Sequence, residues 1–462
     1  MQIVSVECAA FVALALLVYH ALAARARPHA LLLLSYVFCC AVAWWSLPVL
    51  WGLTLITYGV AGQLDPALPR ERAQRHLVWL WVGLAANLVA LGSLRWLYRG
   101  DPFAGPFAVL GVSFYSLQAM SYLLDLHSGA LRQRAGLREL ALYLAYFPKL
   151  AAGPIERARN FLPRLAQPTA VDDLAVARAG TLIAVGLTRK LVIADPLRTL
   201  LPADAFANPG GQGAAVLAAT ITAYGFVLYN DFAGYTDIAR GVSKLFGIEL
   251  SPNFAVPFFA RSFSDFWNRW HITLSHWLRD YVYLPLSRAL LRRRPTLRNV
   301  PNLVVPPLAT MFAAGLWHGS GLHMLVWGAL HGVYLIGERV WGLWRAPATH
   351  RVEAPWKRRA GIAVVFVLVN WTLVAFRNDM AATWAWWSAI LRAQPGPMPS
   401  ARMLFYIAPS VWLDWMVERH GAETAFDHWP RAARVLLLAG AIALWLVMTR
   451  IVPPTPFIYR GF

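Results

Sequence analysis

Apolar stretches close to bilayer-spanning length recur along the whole chain. They lie near residues 3–23, 29–46, 77–97, 106–126, 176–199, 213–230, 303–317, 322–343, 361–376 and 433–452, with shorter ones near 47–61, 137–152, 383–394 and 403–416. A hydrocarbon core takes about 20 helical residues to cross, and inside it every backbone N–H and C=O must be satisfied within the protein. The pattern therefore predicts an all-α polytopic membrane protein with about 10–12 transmembrane helices plus re-entrant or interfacial pieces. Ile3 to Leu22 is long enough to span by itself, so no A-x-A cleavage site is needed to explain it, and it reads as the first transmembrane helix. No long soluble stretch and no internal repeat interrupts the array, so residues 1–462 read as one integral-membrane domain.

The 462 residues are 58% hydrophobic and 14% charged, with a net charge of +19. In a soluble protein that charge would suggest nucleic acid. Here the basic residues sit in short inter-helix segments: Arg25 and Arg27; Arg70, Arg72 and Arg75; Arg288, Arg292, Arg293, Arg294 and Arg298; Lys357, Arg358 and Arg359. Excess Lys and Arg near helix ends marks cytoplasmic loops and attracts anionic headgroups, and no aromatic-basic RNA motif accompanies them. The three cysteines, Cys8, Cys39 and Cys40, lie in apolar runs without a C-x-x-C pattern, so neither a disulfide framework nor a metal site is expected.

The widest polar gap, roughly Ser251 to Asn299, holds "FWNRWHITLSHWLRDYVYLPL" (266–286). Ser262-Phe-Ser-Asp265 has the form of a capping box, so a helix can start there, and Pro285 is expected to stop it. On one continuous helix, Phe263, Trp267, Trp270, Leu274, Trp277 and Tyr281 form an apolar face. Ser264, Asn268, His271, Ser275 and Arg279 form a polar stripe, with Asp265, Arg269, Thr273, His276 and Asp280 beside it. Asp265 and Arg269 are spaced to pair. Such a helix lies at the interface or dips inward with its polar groups toward a protein cavity. The plain alternative is an anchor, which weighs more for the arginines and Asp265; for His271 the two readings balance. His276-x-x-x-Asp280 is treated as a chance i,i+4 pair.

A second cluster, "AAGLWHGSGLHMLVWGALHG" (313–332), is apolar yet holds His318, His323 and His331. Histidine titrates near neutrality and suits proton abstraction from a hydroxyl. The plain reading, a hydrogen-bonded core histidine, is preferred for His323 and His331.

Together these segments resemble the membrane-bound O-acyltransferase family, in particular its bacterial alginate O-acetyltransferase branch. The resemblance rests on "GVSFYSLQAMSYLLDLHSG" (111–129), "YFPKLAAGPIERARNFLPRL" (146–165), "LYNDFAGYTDIARGVSKLFGIELSPNFAVPF" (228–258), "GLWHG" (315–319) and "WGALHG" (327–332), in order and at fitting spacing. It covers about residues 100–335, with an echo in the closing "PFIYRGF"; residues 1–99 and 336–462 supply flanking helices. Ser287-Arg288 stand where relatives carry a Gly pair, and Arg460-Gly461 depart from the usual closing residues.

The resemblance implies a ring of tilted helices around a central conduit. It also implies transfer of an acyl group, usually acetyl, to a hydroxyl, with no bound cofactor and no metal. It places the family's characteristic histidine on His318 and its second recurrent histidine on His271 as the catalytic candidates. Asn268, Asp265, Arg269, Ser275 and Trp317 are the substrate-binding candidates beside them. The donor would be acetyl-CoA or an acyl-carrier thioester. The acceptor would be a polysaccharide or a periplasmic or membrane-anchored acetyltransferase partner at the bacterial inner (plasma) membrane. Competing readings are D-alanyl transfer to teichoic acid, a polysaccharide or lipid transporter, and a non-catalytic export scaffold.

Overall fold

The computed structural model describes residues 3–64, 73–97, 109–296, 298–344, 354–451 and 457. Arg70, Arg72 and, apart from Phe457, the closing segment 456–462 lie outside them, as does the side chain of Arg75. The regular elements among the described residues are all helices, without strands, as the apolar pattern predicts. Five helical stretches among them are long and apolar enough to cross a bilayer: His76–Ser93, Ala214–Leu245, Val300–His318, Pro355–Arg377 and Arg431–Met448. Val6–Ala21 and Arg27–Ala43 are shorter apolar helices. Leu17, Leu33, Phe405 and Leu436 are all more than half exposed, a surface that only lipid or another apolar phase would cover without cost. The protein is a multi-pass membrane protein.

By contacts the chain divides into two compact units. The first comprises residues 1–191, 232–252 and 426–462. Its core is aromatic: Tyr19, Tyr115, Tyr122, Tyr143, Tyr146 and Phe161 are all fully buried. Its buried charges are placed among polar partners. Lys149 donates to the Gln118 side chain and to the Tyr143 carbonyl at 2.5 Å. The Glu156 carboxylate accepts from the Ser251 amide at 2.6 Å and its hydroxyl at 3.1 Å. Asp125 and Asp237 face arginines: Arg159 at 3.4 Å for Asp125, and Arg189 and Arg240 at 3.8 and 3.9 Å for Asp237.

The second unit comprises residues 192–231 and 253–425. Its framework includes Val300–His318, Leu322–Trp344, Pro355–Arg377 and Arg402–His420. Pro306 and Pro307 sit inside the first of these, where each removes a ladder donor; Thr310 bonds back to the Pro306 carbonyl at 2.6 Å. The 32-residue helix Ala214–Leu245 contributes its early residues to this unit. There Tyr229 donates to Asp414 at 2.9 Å, and Asn230 exchanges bonds with Ser410 at 2.9 and 3.1 Å.

The polar segment departs from the single helix its spacing predicts. It folds as Phe263–Arg269, then Ile272–Leu278, then a π-helical turn Arg279–Tyr283 leading into Leu284–Arg293. Pro285 does not stop it. Pro sits in the first turn of the last helix, where its missing N–H costs little. The continuous stripes therefore do not exist. Trp270 is extended and His271 adopts left-handed backbone angles, φ 40° and ψ 53°, which turn the second helix off the axis of the first.

Candidate active site

The start of the polar segment forms as its local sequence dictates. The Ser262 hydroxyl caps the Asp265 amide at 3.1 Å. Asp265 accepts from Arg269 at 2.7 Å and from the Arg261 amide at 3.0 Å. Arg269 also reaches Glu418 at 2.8 Å, and Arg358 joins the same carboxylate at 2.9 Å. Sequence spacing shows the Asp265–Arg269 pair and is blind to Glu418, which stands 149 positions away. The ionic knot orients this corner of the unit. Glu418→Ala strips Arg269 and Arg358 of a shared carboxylate. Because these arginines are partly exposed, the expected loss is about 1–2 kcal/mol rather than the larger value of a fully buried pair. A drop of several degrees in Tm in detergent is the readout; an unchanged Tm would show that the knot is idle.

The break that follows is held on both sides. The Arg269 carbonyl accepts from the Ala255 amide at 3.0 Å, and the Trp270 carbonyl accepts from the Ser275 hydroxyl at 2.9 Å. Beyond His271, the Ile272 amide donates to the Asn253 carbonyl at 2.9 Å. The Asn253 side-chain oxygen accepts from the Thr273 hydroxyl at 2.7 Å and its amide at 3.3 Å. His271 is buried, and desolvation pushes its imidazole well below the ordinary range, to about 3, so the ring is neutral at physiological pH.

His318 closes the helix Val300–His318 and is buried. Gly319 follows in extended conformation and leads into the turn before Leu322–Trp344. Three aromatic rings surround the imidazole at centroid distances of 4.8 Å (Trp317), 5.2 Å (Trp327) and 5.0 Å (Phe376). Trp317 also stands edge-on to His271 at 5.7 Å. The two histidines, 47 positions apart in sequence, thus share one indole. Trp327, which opens the "WGALHG" motif without being one of the site candidates, and Phe376, which no local signal marks, complete the cage.

The other histidines are built into the fold. The His331 Nε2 lies 2.9 Å from the Thr372 hydroxyl, and its ring packs against Trp267 and Trp327. The His323 Nδ1 lies 2.9 Å from the Ala375 carbonyl. His331 is buried and agrees with the core reading; His323 makes its hydrogen bond but is only half-buried. Of the substrate-binding candidates, Trp317 lies between the two catalytic candidates and Asn268 is exposed. Ser275 spends its hydroxyl on the Trp270 carbonyl, while Asp265 and Arg269 belong to the ionic knot.

The comparisons bear on this arrangement. The model of the membrane-bound O-acyltransferase family matches residues 8–378, so the likeness runs well past residues 100–335 into both flanks. The chain is 34% identical over 393 residues to the probable alginate O-acetylase AlgI of Pseudomonas aeruginosa, covering 80% of this chain and 71% of that protein. It is 29% identical over 420 residues to the peptidoglycan O-acetyltransferase of Helicobacter pylori, covering 80% and 75%. It is 29% identical over 338 residues to the teichoic acid D-alanyltransferase of Streptococcus thermophilus, covering 68% and 79%.

Proposed function

Because this chain belongs to the membrane-bound O-acyltransferase family, we propose that it moves an acetyl group from a cytosolic thioester across the bacterial inner membrane, for O-acetylation of an exopolysaccharide or cell-wall polymer. The observation that carries the reading is the aromatic cage in which Trp317 is shared by His318 and His271. His318 takes the proton of the acceptor hydroxyl as its oxygen attacks the thioester carbonyl. A C–O bond forms, the C–S bond breaks, and the proton passes to the departing thiolate. The cage excludes water that would otherwise hydrolyse the thioester. His271, neutral, serves as a hydrogen-bonding partner of the thioester rather than as a charge. Asn268 and backbone amides near it are the candidates for stabilising the oxyanion.

The donor is acetyl-CoA or an acyl-carrier thioester. The exposed Arg288, Arg292 and Arg293 of the helix Leu284–Arg293 suit its phosphates. The acceptor is the polymer itself or a periplasmic or membrane-anchored acetyltransferase that carries the acetyl onward. The likeness to a teichoic acid D-alanyltransferase keeps D-alanyl transfer as the second reading, and exchanging the thioester separates the two.

The test compares base-labile acetate on surface polysaccharide in the native host, in a deletion strain, and in the deletion carrying His318→Ala at matched membrane level. Acetate is expected to vanish in the deletion and to stay absent with His318→Ala. Full restoration by His318→Ala removes His318 from the chemistry and advances an export or scaffold role.

A further inference from the structure

His271 is one of three described non-glycine residues with positive φ, with Val256 and Ala393. A left-handed backbone disfavours side chains that carry a Cβ, and it persists where surrounding contacts over-determine it. The over-determination here is visible. Five bonds hold the two residues before the break and the two after it. The two after it both return to one side chain and one carbonyl, those of Asn253. Asn253 is buried, 18 positions upstream of His271, in the irregular stretch "SPNFAVPF" (251–258).

We infer that Asn253, with Thr273 as its receiver, is a positioning residue: it clamps the His271 backbone in its left-handed turn and thereby aims the imidazole at Trp317, beside His318. The inference rests on the functional reading of His271 above. Helix Ile272–Leu278 begins at His271, whose carbonyl accepts from the Ser275 amide at 2.9 Å. The first amides of any helix lack partners within it. In this one, Ile272 and Thr273 are satisfied from outside by Asn253, so the start of the helix is fixed to a separate segment of chain. Without that clamp, the unstrained alternative for residues 270–272 is to continue helix Phe263–Arg269 straight on. This would swing the His271 ring about its helix axis and away from Trp317. Catalytic geometry tolerates little of this: a displacement of about 1 Å can cost roughly a hundredfold in rate.

The test is a double-mutant cycle read as polymer-bound acetate per unit of membrane-inserted protein, with each variant first checked for a monodisperse size-exclusion profile. Asn253→Ala is expected to lower transfer about tenfold, and Thr273→Val, which keeps the amide and loses the hydroxyl, about threefold. In a His271→Gln background, where the ring is already gone, either change is expected to cost less than about twofold, because positioning residues act through the group they position. A purely structural role predicts equal losses in both backgrounds, and that outcome overturns the inference. So does wild-type transfer in both Asn253→Ala and Thr273→Val while His271→Gln is impaired. Should Asn253→Ala not fold, Thr273→Val in the two backgrounds carries the same cycle. Full transfer by His271→Gln alone is a separate result: it overturns the role of His271 itself, and the clamp with it.

Discussion

His318→Gln is expected to lower acetyl transfer by about 10²–10⁴-fold, the range that a single general-base step contributes. Glutamine approximates the ring's size and polarity but cannot accept a proton near neutral pH. The measurement is acetate incorporation by membrane vesicles of the host supplied with acetyl-CoA, normalised to folded protein. The matching control is His331→Gln. His331 lies one ring further along the same aromatic chain, bonded to Thr372 and packed on Trp327. Its replacement should reduce thermal stability while leaving the rate per folded molecule within about threefold, since it perturbs packing rather than proton transfer. If the two variants lose rate equally, the cage is a structural unit and His318 has no special place in it. A transporter would give a third pattern, with thioester turnover indifferent to both. The pairing of Asp125 with Arg159 and of Asp237 with Arg189 and Arg240 already weakens that reading.

How far the site was legible in the sequence depends on the range of the interaction that sets each feature. The cap at Ser262 and the pair Asp265–Arg269 are local, within one helical turn, and spacing alone gives them. The span ending at His318 follows from an uninterrupted apolar run, found within a few residues of Val300–His318. The core role of His331 follows from its apolar surroundings. The break at Trp270–His271 does not. Nothing in "NRWHITLS" forbids a helix, and helical periodicity sorted these residues onto continuous faces. The break is held by Asn253 and Ala255, in an irregular segment that competes for the same amides and carbonyls. The carboxylate of Glu418, the Thr372 hydroxyl and the ring of Phe376 were likewise out of reach, each set by packing between helices far apart in sequence. The resemblance to the family located the two histidines; the fold alone puts one indole between them.

Gly315→Val is expected to be the most damaging single change to the fold around the site. The helices Val300–His318 and Leu322–Trp344 pack so closely that a Cβ on Gly315 would lie 2.3 Å from the Met324 carbonyl oxygen, and one on Gly328 would lie 2.4 Å from that of Met311. Both obstacles are backbone, which cannot rotate aside. Within a membrane, small residues at such crossings replace the hydrophobic drive that lipid removes, so the contact area itself is what holds the pair. Adding three carbons must force the helices apart, an overpacking cost of about 3 kcal/mol, at the upper end of such substitutions. The displacement also travels: Gly315 is one turn before His318, and the Gly319 amide bonds back to the Gly315 carbonyl at 3.0 Å. The protein that does fold should therefore have its imidazole shifted and its transfer rate reduced. Gly332→Ala is the informative contrast, because the nearest obstacle there is the tip of the Leu308 side chain, which can move. Fluorescence-detected size exclusion of the two variants after mild heating provides the comparison. A Gly315→Val protein as monodisperse and heat-resistant as Gly332→Ala would mean that the two helices are free to separate, and that the position of His318 is set by the aromatic cage rather than by the crossing beneath it.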